Sequence, residues 1–365
     1  MRKLKLIRTS TVPVSLNTFC RGMLRELSGK YDVIALSSPG HELNELAKRE
    51  NVRVIAVPMQ RRINPLKDSI SLYRLVRVFA KERPDIVHSM TPKAGLLCML
   101  AGWITRVPFR IHTFTGLVFP TATGFKRRIL ILTDKITCAC ATHIIPEGQG
   151  IKNDLYQFHI THKPLQVLGF GNVRGVDLKL YKPKPIPHSG FIFLYVGRIA
   201  KDKGIKELVL ACDALPKDAQ LWLVGTIDTS DPVEMSIMDI LTNHPQIHRY
   251  DATKNICDFY NQADCLILPS YREGFPNVVL EAGAMKLPCI VTDVNGSREI
   301  ISNNVNGLIV PSHNIEQLRS AIHYMLAHPQ EAKQMGENAR PIIEQKYEQS
   351  YVHQCLYDYY DKIIE

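Results

Sequence analysis

The sequence predicts an α/β protein built from two domains of repeated βα units, and three observations carry that prediction. Short apolar or β-branched runs alternate with stretches of helical period along most of the chain, a pattern that implies mostly parallel sheets covered by helices on both faces. At 365 residues the chain is longer than one ordinary hydrophobic core can fill, so two domains of about 150–200 residues are expected. Between the two series of βα units lies a stretch rich in glycine and then proline, Gly169 to Pro187, with the composition of a linker.

In the first series the runs predict strands over 4–8, 31–37, 52–57, 85–88 and 109–113, with helices over 16–29, 40–50, 67–82 and 94–105. Residues 142–145 and 165–168 read as further strands with a helix between them. The first domain is placed at 1–172, a linker at 173–188 and the second domain at 189–345. The second series restarts with the continuous apolar run 191–197 and continues with strands at 220–225, 246–249, 263–269, 289–292 and 307–310. Helices are expected over 254–262, 278–287, 314–327, 330–345 and 348–364. The tyrosines of the last stretch, Tyr347, Tyr351, Tyr357, Tyr359 and Tyr360, read as packing residues.

Composition narrows the class. Apolar residues at 45% and charged residues at 22% are ordinary for a globular protein. The N-terminal Lys3-Leu4-Lys5-Leu6-Ile7 reads as a strand rather than a signal peptide, and the longest apolar run, Ala94 to Ile104, is too short to span a bilayer. A cytoplasmic location is expected. Nine scattered cysteines read as buried reduced thiols, and Cys138-Ala139-Cys140 lacks metal-ligand spacing, so no metal is assigned. Charge is divided unevenly: residues 1–175 hold 27 Lys and Arg against 11 Asp and Glu, whereas the remainder holds 18 against 24. A basic half with few interleaved aromatics fits an anionic membrane surface or a phosphate-bearing acceptor rather than nucleic acid. Its densest clusters are Arg61-Arg62 and Lys126-Arg127-Arg128.

The chemistry concentrates in Arg272-Glu273-Gly274-Phe275-Pro276-Asn277-Val278-Val279-Leu280-Glu281, at a predicted strand-to-helix turn. Pro276 suits a first helical position, which puts Glu273 in the loop before the helix and Glu281 between one and two turns inside it. A helix N-terminus holds anions such as a diphosphate. Carboxylates accept hydrogen bonds only, so beside a phosphate their natural partners are hydroxyls, and one carboxylate can span a vicinal diol. A diphosphate flanked by two diols describes a nucleotide sugar. Arg198 and Lys203, in the turn after the 191–197 strand, can meet a diphosphate from two directions. The sequence contains no Asp-x-Asp pair of the kind that holds a divalent metal, so the charge must come from protein. Three other strand-end loops attract notice: Thr9 to Asn17, His88 to Lys93, and His112 to Gly116.

Gly197-Arg198 with Lys203-Gly204, followed by Glu273-Gly274-Phe275-Pro276-Asn277-Val278-Val279-Leu280-Glu281-Ala282, resembles the donor site of family 4 retaining glycosyltransferases of the GT-B fold. His88-Ser89-Met90-Thr91-Pro92-Lys93 and Arg110-Ile111-His112-Thr113 extend the resemblance to the bacterial branch that builds capsule, exopolysaccharide and O-antigen units on a lipid carrier. The resemblance implies GT-B architecture, two Rossmann-like βαβ domains facing across a cleft, with the donor held mainly by the second and a last helix, 346–365, crossing back to the first. It implies Arg198 and Lys203 at the diphosphate, Glu281 at the ribose, Glu273 at the transferred sugar and His112 near that sugar. Gly197, Gly274, and the backbone of Phe275, Pro276, Asn277, Val278 and Val279 would complete the donor site. Many relatives carry a Gly-Gly loop after the first strand; here that stretch supplies Thr11, Ser15 and Asn17, which with His88 and Lys93 are expected on the acceptor side.

The resulting expectation is a retaining, metal-independent hexosyltransferase that needs no cofactor and uses a UDP-linked sugar as donor. Its acceptor would be a polyprenyl-diphosphate-linked glycan, and it would sit peripherally on the inner face of the cell membrane. Two rival readings share the motifs: a UDP-sugar epimerase of the same fold, and a non-catalytic nucleotide-sugar-binding protein.

Overall fold

The computed structural model describes residues 2–61 and 63–365; Arg62, half of one basic cluster, lies outside them. The chain divides into two compact units, Met1–Arg174 with Val352–Glu365, and Gly175–Tyr351.

In the first unit the order is β1 (Lys5–Thr9), α1 (Pro13–Phe19), α2 (Met23–Ser28), β2 (Asp32–Ser37), α3 (His41–Glu50), β3 (Arg53–Ala56) and α4 (Pro65–Glu82). It continues with β4 (Ile86–Met90), α5 (Pro92–Ile104), β5 (Phe109–Phe114), α6 (Gly124–Cys140), β6 (His143–Pro146) and α7 (Gln149–Gln157). The six strands form one parallel sheet in the order β3-β2-β1-β4-β5-β6. The second unit holds β7 (Phe191–Val196), α8 (Ile205–Cys212), β8 (Ala219–Val224), α9 (Met235–Asn243), β9 (Ile247–Tyr250), α10 (Ile256–Gln262) and β10 (Cys265–Leu268). After it come α11 (Asn277–Ala284), β11 (Cys289–Thr292), α12 (Ser297–Ile300), β12 (Gly307–Val310), α13 (Ile315–Ala327) and α14 (Pro329–Lys346). The final helix, α15 (Gln349–Ile364), belongs to the first unit from Val352 onward. The second sheet is also parallel, in the order β12-β11-β10-β7-β8-β9.

Counted within its own unit, each sheet has the strand order 3-2-1-4-5-6 of a Rossmann fold. Central strands such as β4, β10 and β11 are buried throughout, which is why β10 reads as an unbroken apolar run, whereas β4 carries the buried polar residues His88 and Ser89. Leu356, Tyr359 and Tyr360 of α15 enter the core beneath β1 together with Leu6, Leu16 and Leu24, whereas Tyr347 packs in the core of the second unit. Among the described residues no helix is long and apolar enough to cross a membrane, and all nine cysteines are free thiols.

Four local expectations are corrected. The helix expected over 16–29 is two helices, because Gly22 takes a left-handed φ of 79° and turns the chain between α1 and α2. The strand expected at 165–168 is only an isolated bridge from Leu165 to Ile144, since the Leu165 N–H is taken by the Tyr156 hydroxyl at 3.2 Å. Pro276 caps α11 instead of opening it: its ψ of 108° is extended, and its carbonyl accepts the Val279 N–H at 3.1 Å. Helix α6 was not foreseen; Ile129, Ile131, Thr133, Ile136 and Thr137 give it weak intrinsic helicity, and packing on α5 supplies the rest.

Candidate active site

Ligands of doubly wound sheets bind outside the carboxyl ends of the strands, where the strand order reverses. In the second unit that point lies between β7 and β10, neighbours in the sheet whose connections run to opposite sides. The loops leaving these two strands are packed on each other: Gly204 has φ of 67°, and a Cβ there would stand 2.1 Å from the Pro269 carbonyl oxygen. Two adjacent ion pairs of opposite polarity clip them together. Lys203 Nζ donates to Glu273 Oε1 at 2.6 Å, and Arg272 Nη2 donates to Asp202 Oδ2 at 2.7 Å. The Tyr271 N–H adds a bond to the Asp202 carbonyl at 3.0 Å.

Arg198 stands at the mouth of β7. One nitrogen of its guanidinium meets Asp228, and the other lies 3.3 Å from both carboxylate oxygens of Asp202. The Tyr195 hydroxyl donates to the Arg198 carbonyl at 2.6 Å and fixes the backbone beneath it. Burial works against the arginine's charge, but Asp202 and Asp228 outweigh it and hold the group firmly protonated. The Ser230 hydroxyl, with Arg198, holds the Asp228 carboxyl down at about 2.

The turn into α11 is supported from below. Gly296, before α12, has φ of 72°, and a Cβ on it would lie 2.2 Å from the Gly274 carbonyl oxygen and 2.7 Å from Phe275 Cα. Phe275 is buried against Tyr347, with ring centroids 5.5 Å apart. Asn277 and Val278 follow at the positive end of the helix. Glu281, one turn further in, is 5% exposed and accepts from the Tyr260 hydroxyl at 3.0 Å. Thus Gly197, Arg198, Lys203, Glu273, Gly274 and the start of α11 converge on one switch point. Asp202, Asp228, Arg272, Tyr260 and Gly296 belong to the same assembly and were not singled out; a carboxylate such as Asp228 at a neighbouring strand end was the available signal.

In the first unit the corresponding point lies between β1 and β4. Here four of the five residues expected on the acceptor side are committed to internal contacts. The Thr11 hydroxyl pairs with that of Thr91 at 2.8 Å and accepts the Ala94 N–H at 3.1 Å, capping α5. Asn17 accepts from Arg49, and Lys93, largely buried, pairs with Asp68. His88 is buried with both nitrogens used, Nε2 with Thr113 at 2.7 Å and Nδ1 with the Tyr360 hydroxyl at 2.6 Å. Burial, then the neighbouring Arg8, hold its imidazole neutral. His88 and Arg8, which donates to the same Tyr360 hydroxyl at 2.9 Å, therefore anchor α15. Ser15 stays half-buried in α1 without a side-chain hydrogen bond among the described residues.

His112 sits beneath α5, where Gly95 makes room: a Cβ on that glycine would be 2.4 Å from the imidazole Cε1. Its Nδ1 pairs with the Ser89 hydroxyl at 2.8 Å, and burial pushes its pKa down to about 3. A neutral imidazole offers one more hydrogen bond but no charge.

Two Rossmann-ordered parallel sheets, the second with paired acids and bases at its switch point, match the two-domain architecture expected of the GT-B fold. The model for "Glycosyl transferases group 1" matches residues 178–341, and that for "Glycosyl transferase 4-like domain" matches residues 16–171. The chain is 31% identical to the capsular polysaccharide biosynthesis glycosyltransferase CapM of Staphylococcus aureus, over 100% of this chain and 99% of that one. It is 24% identical to the N,N'-diacetylbacillosaminyl-diphospho-undecaprenol α-1,3-N-acetylgalactosaminyltransferase of Campylobacter jejuni, over 96% of both chains. Among solved structures, Anabaena HepE in complex with UDP superposes with a TM-score of 0.80 over 98% of this chain and 100% of that one, at 16% identity. The chain belongs to the family 4 glycosyltransferases with the GT-B fold.

Proposed function

We propose that this glycosyltransferase moves a sugar from a UDP-sugar to a polyprenyl-diphosphate-linked glycan during assembly of a surface polysaccharide, with retention of anomeric configuration and without a metal. One observation carries the reading: Lys203 and Glu273 meet at 2.6 Å at the switch point, beside Arg198 and before α11. In this reading Arg198, Lys203 and the first amides of α11 receive the diphosphate and stabilise its charge as it departs. That is the role a divalent ion plays in other enzymes. Glu281 accepts from the ribose hydroxyls and Glu273 from hydroxyls of the transferred sugar. A relative supports the acceptor class, since the Campylobacter jejuni protein acts on a diphospho-undecaprenol-linked sugar. A UDP-bound neighbour of the same fold supports the nucleotide.

Peripheral association with the inner face of the membrane is part of the proposal. Helices α4, α5 and α6 pack side by side, and α4 and α6 expose Leu66, Ile70, Tyr73, Phe125 and Leu132. Arg74, Arg77, Lys126 and Arg128 stand exposed on the same helices with no carboxylate partner among the described residues. Apolar tips among unpaired cations suit an anionic lipid surface.

The test is a thermal-shift screen of UDP-, GDP- and ADP-sugars, followed by transfer to a polyprenyl-diphosphate-linked monosaccharide with and without EDTA. A UDP-sugar should raise the melting temperature, transfer should survive EDTA, and the product should keep the donor's anomeric configuration. Arg198→Ala or Lys203→Ala should slow transfer by about 100-fold. Unchanged rates in both would reject the diphosphate assignment, and epimerised sugar formed without acceptor would favour an isomerase. Failure to bind phosphatidylglycerol vesicles at low salt would remove the membrane component.

A further inference from the structure

Arg198 is held by two carboxylates that come from different loops. Asp228 belongs to the loop after β8, and that loop is laced onto the turn 197–203. The Ile199 N–H donates to the Thr226 carbonyl at 2.9 Å, the Asp228 N–H to Ile199 at 3.0 Å, and the Lys201 N–H to Asp231 at 3.1 Å. The Asp202 N–H donates to the Asp231 carboxylate at 2.8 Å. Gly225 brings the two loops into backbone contact, since a Cβ there would stand 1.8 Å from the Gly197 carbonyl oxygen. The Asp228 side chain cannot swing: Oδ1 accepts the Ser230 N–H at 2.8 Å and its hydroxyl at 2.5 Å, while Oδ2 meets Arg198. Asp202 is shared in the same way between Arg198 and Arg272.

We propose that Asp228, seconded by Asp202, is a positioning residue of the transfer reaction: it aims the Arg198 guanidinium at the donor's diphosphate and, by pairing with it, weakens the ground-state grip on that diphosphate. This rests on the assignment of Arg198 to the diphosphate made above. The physical argument compares two states. Before transfer, a carboxylate touching Arg198 cancels part of the attraction that draws an anion to it. As the sugar departs, negative charge grows on the leaving phosphate, and a donor already fixed in place stabilises it without reorganising. Loss of the carboxylate should therefore tighten binding and slow turnover, whereas a residue that merely supports the fold would weaken both when removed.

The test compares Asp228→Asn, Asp228→Glu, Arg198→Ala and the double variant Arg198→Ala/Asp228→Asn, each first melted to establish a temperature at which it is folded. UDP and inorganic pyrophosphate are titrated calorimetrically. Turnover is read as UDP released from UDP-galactose, UDP-glucose and UDP-N-acetylglucosamine with a polyprenyl-diphosphate-linked monosaccharide. Asp228→Asn should bind UDP and pyrophosphate about 5-fold more tightly and lose about 10-fold or more in kcat. Asp228→Glu, which keeps the charge, should lie closer to wild type in both measurements. In the Arg198→Ala background, Asp228→Asn should lower kcat no further, because its effect on turnover runs through the arginine. Parallel weakening of binding and turnover by Asp228→Asn, or wild-type behaviour of that variant while Arg198→Ala is slow, would overturn the positioning role. Wild-type turnover of Arg198→Ala would instead sink the Arg198 assignment on which it stands.

Discussion

Replacement of Gly296 by alanine isolates how far the donor loop depends on close backbone packing. The residue has φ of 72°, and its Cβ would sit 2.2 Å from the Gly274 carbonyl oxygen and 2.7 Å from Phe275 Cα, both rigid backbone atoms. Ordinary carbon–oxygen contacts begin near about 3.3 Å, so the Gly274–Phe275 segment must retreat by about 1 Å. That segment carries Glu273 on one side and the start of α11 on the other. A misplacement of about 1 Å at reacting groups can cost about 100-fold in rate. Gly22→Ala is the matched control: its φ is 79°, yet nothing lies within 4 Å of the added methyl. Both glycines pair a positive φ with a negative ψ, a sparsely populated region that costs a non-glycine residue about 1–3 kcal/mol, but only Gly296→Ala displaces the loop. In urea melts with parallel assays of sugar transfer and UDP binding, Gly22→Ala should lose stability only, whereas Gly296→Ala should lose about 100-fold in kcat/KM. Transfer by Gly296→Ala within about 3-fold of the Gly22→Ala rate would refute the idea that this contact sets the loop, being far short of the expected effect.

Three further outcomes are expected. Glu281→Ala should weaken UDP binding by about 10-fold or more, whereas Glu273→Ala should chiefly lower kcat, since a hydrogen bond to a charged group contributes about 1.5–3 kcal/mol; the reverse pattern by calorimetry and steady-state kinetics would exchange their roles. His112 has a folded pKa of about 3, below its unfolded value, so its contribution to stability is complete above about pH 6.5 and is lost as pH falls toward 3, by up to about 1.4 kcal/mol per unit. The drop in urea midpoint between pH 7 and pH 5 should accordingly shrink in His112→Asn. Asp134, buried on α6, has its carboxyl pushed up to about 7 by burial, so its ionisation costs stability as pH rises above the unfolded value near 4. Asp134→Asn should raise the urea midpoint at pH 8 and leave it nearly unchanged at pH 4.

Much of the fold was legible because parallel strands buried on both faces leave an unmistakable trace. Phe191 to Val196 and Cys265 to Leu268 are unbroken apolar runs, and each leads into the loop that carries a basic or an acidic part of the site. Helix α6 was missed for the opposite reason: its β-branched residues argue against helix locally, and its neighbours decide the outcome. The division at Gly22 needed the observed φ, because a glycine inside an apolar periodic stretch is equally compatible with a continuous helix.

Local pattern alone places the charged residues at the strand ends: Arg198 and Lys203 after one apolar run, Glu273 and Glu281 around the turn after another. Those placements follow from local pattern, which is written in consecutive residues. Which of these side chains meet is a matter of strand order. Lys203 and Glu273 are 70 positions apart, Arg198 and Asp228 are 30 apart, and both pairs form because the strand order sets β10, β7 and β8 side by side. The same geometry turned His88 from a candidate for the acceptor into an anchor of α15 through Tyr360, a contact spanning 272 positions. No local preference of either residue encodes such a pairing; it is set by where burial and sheet register leave each side chain.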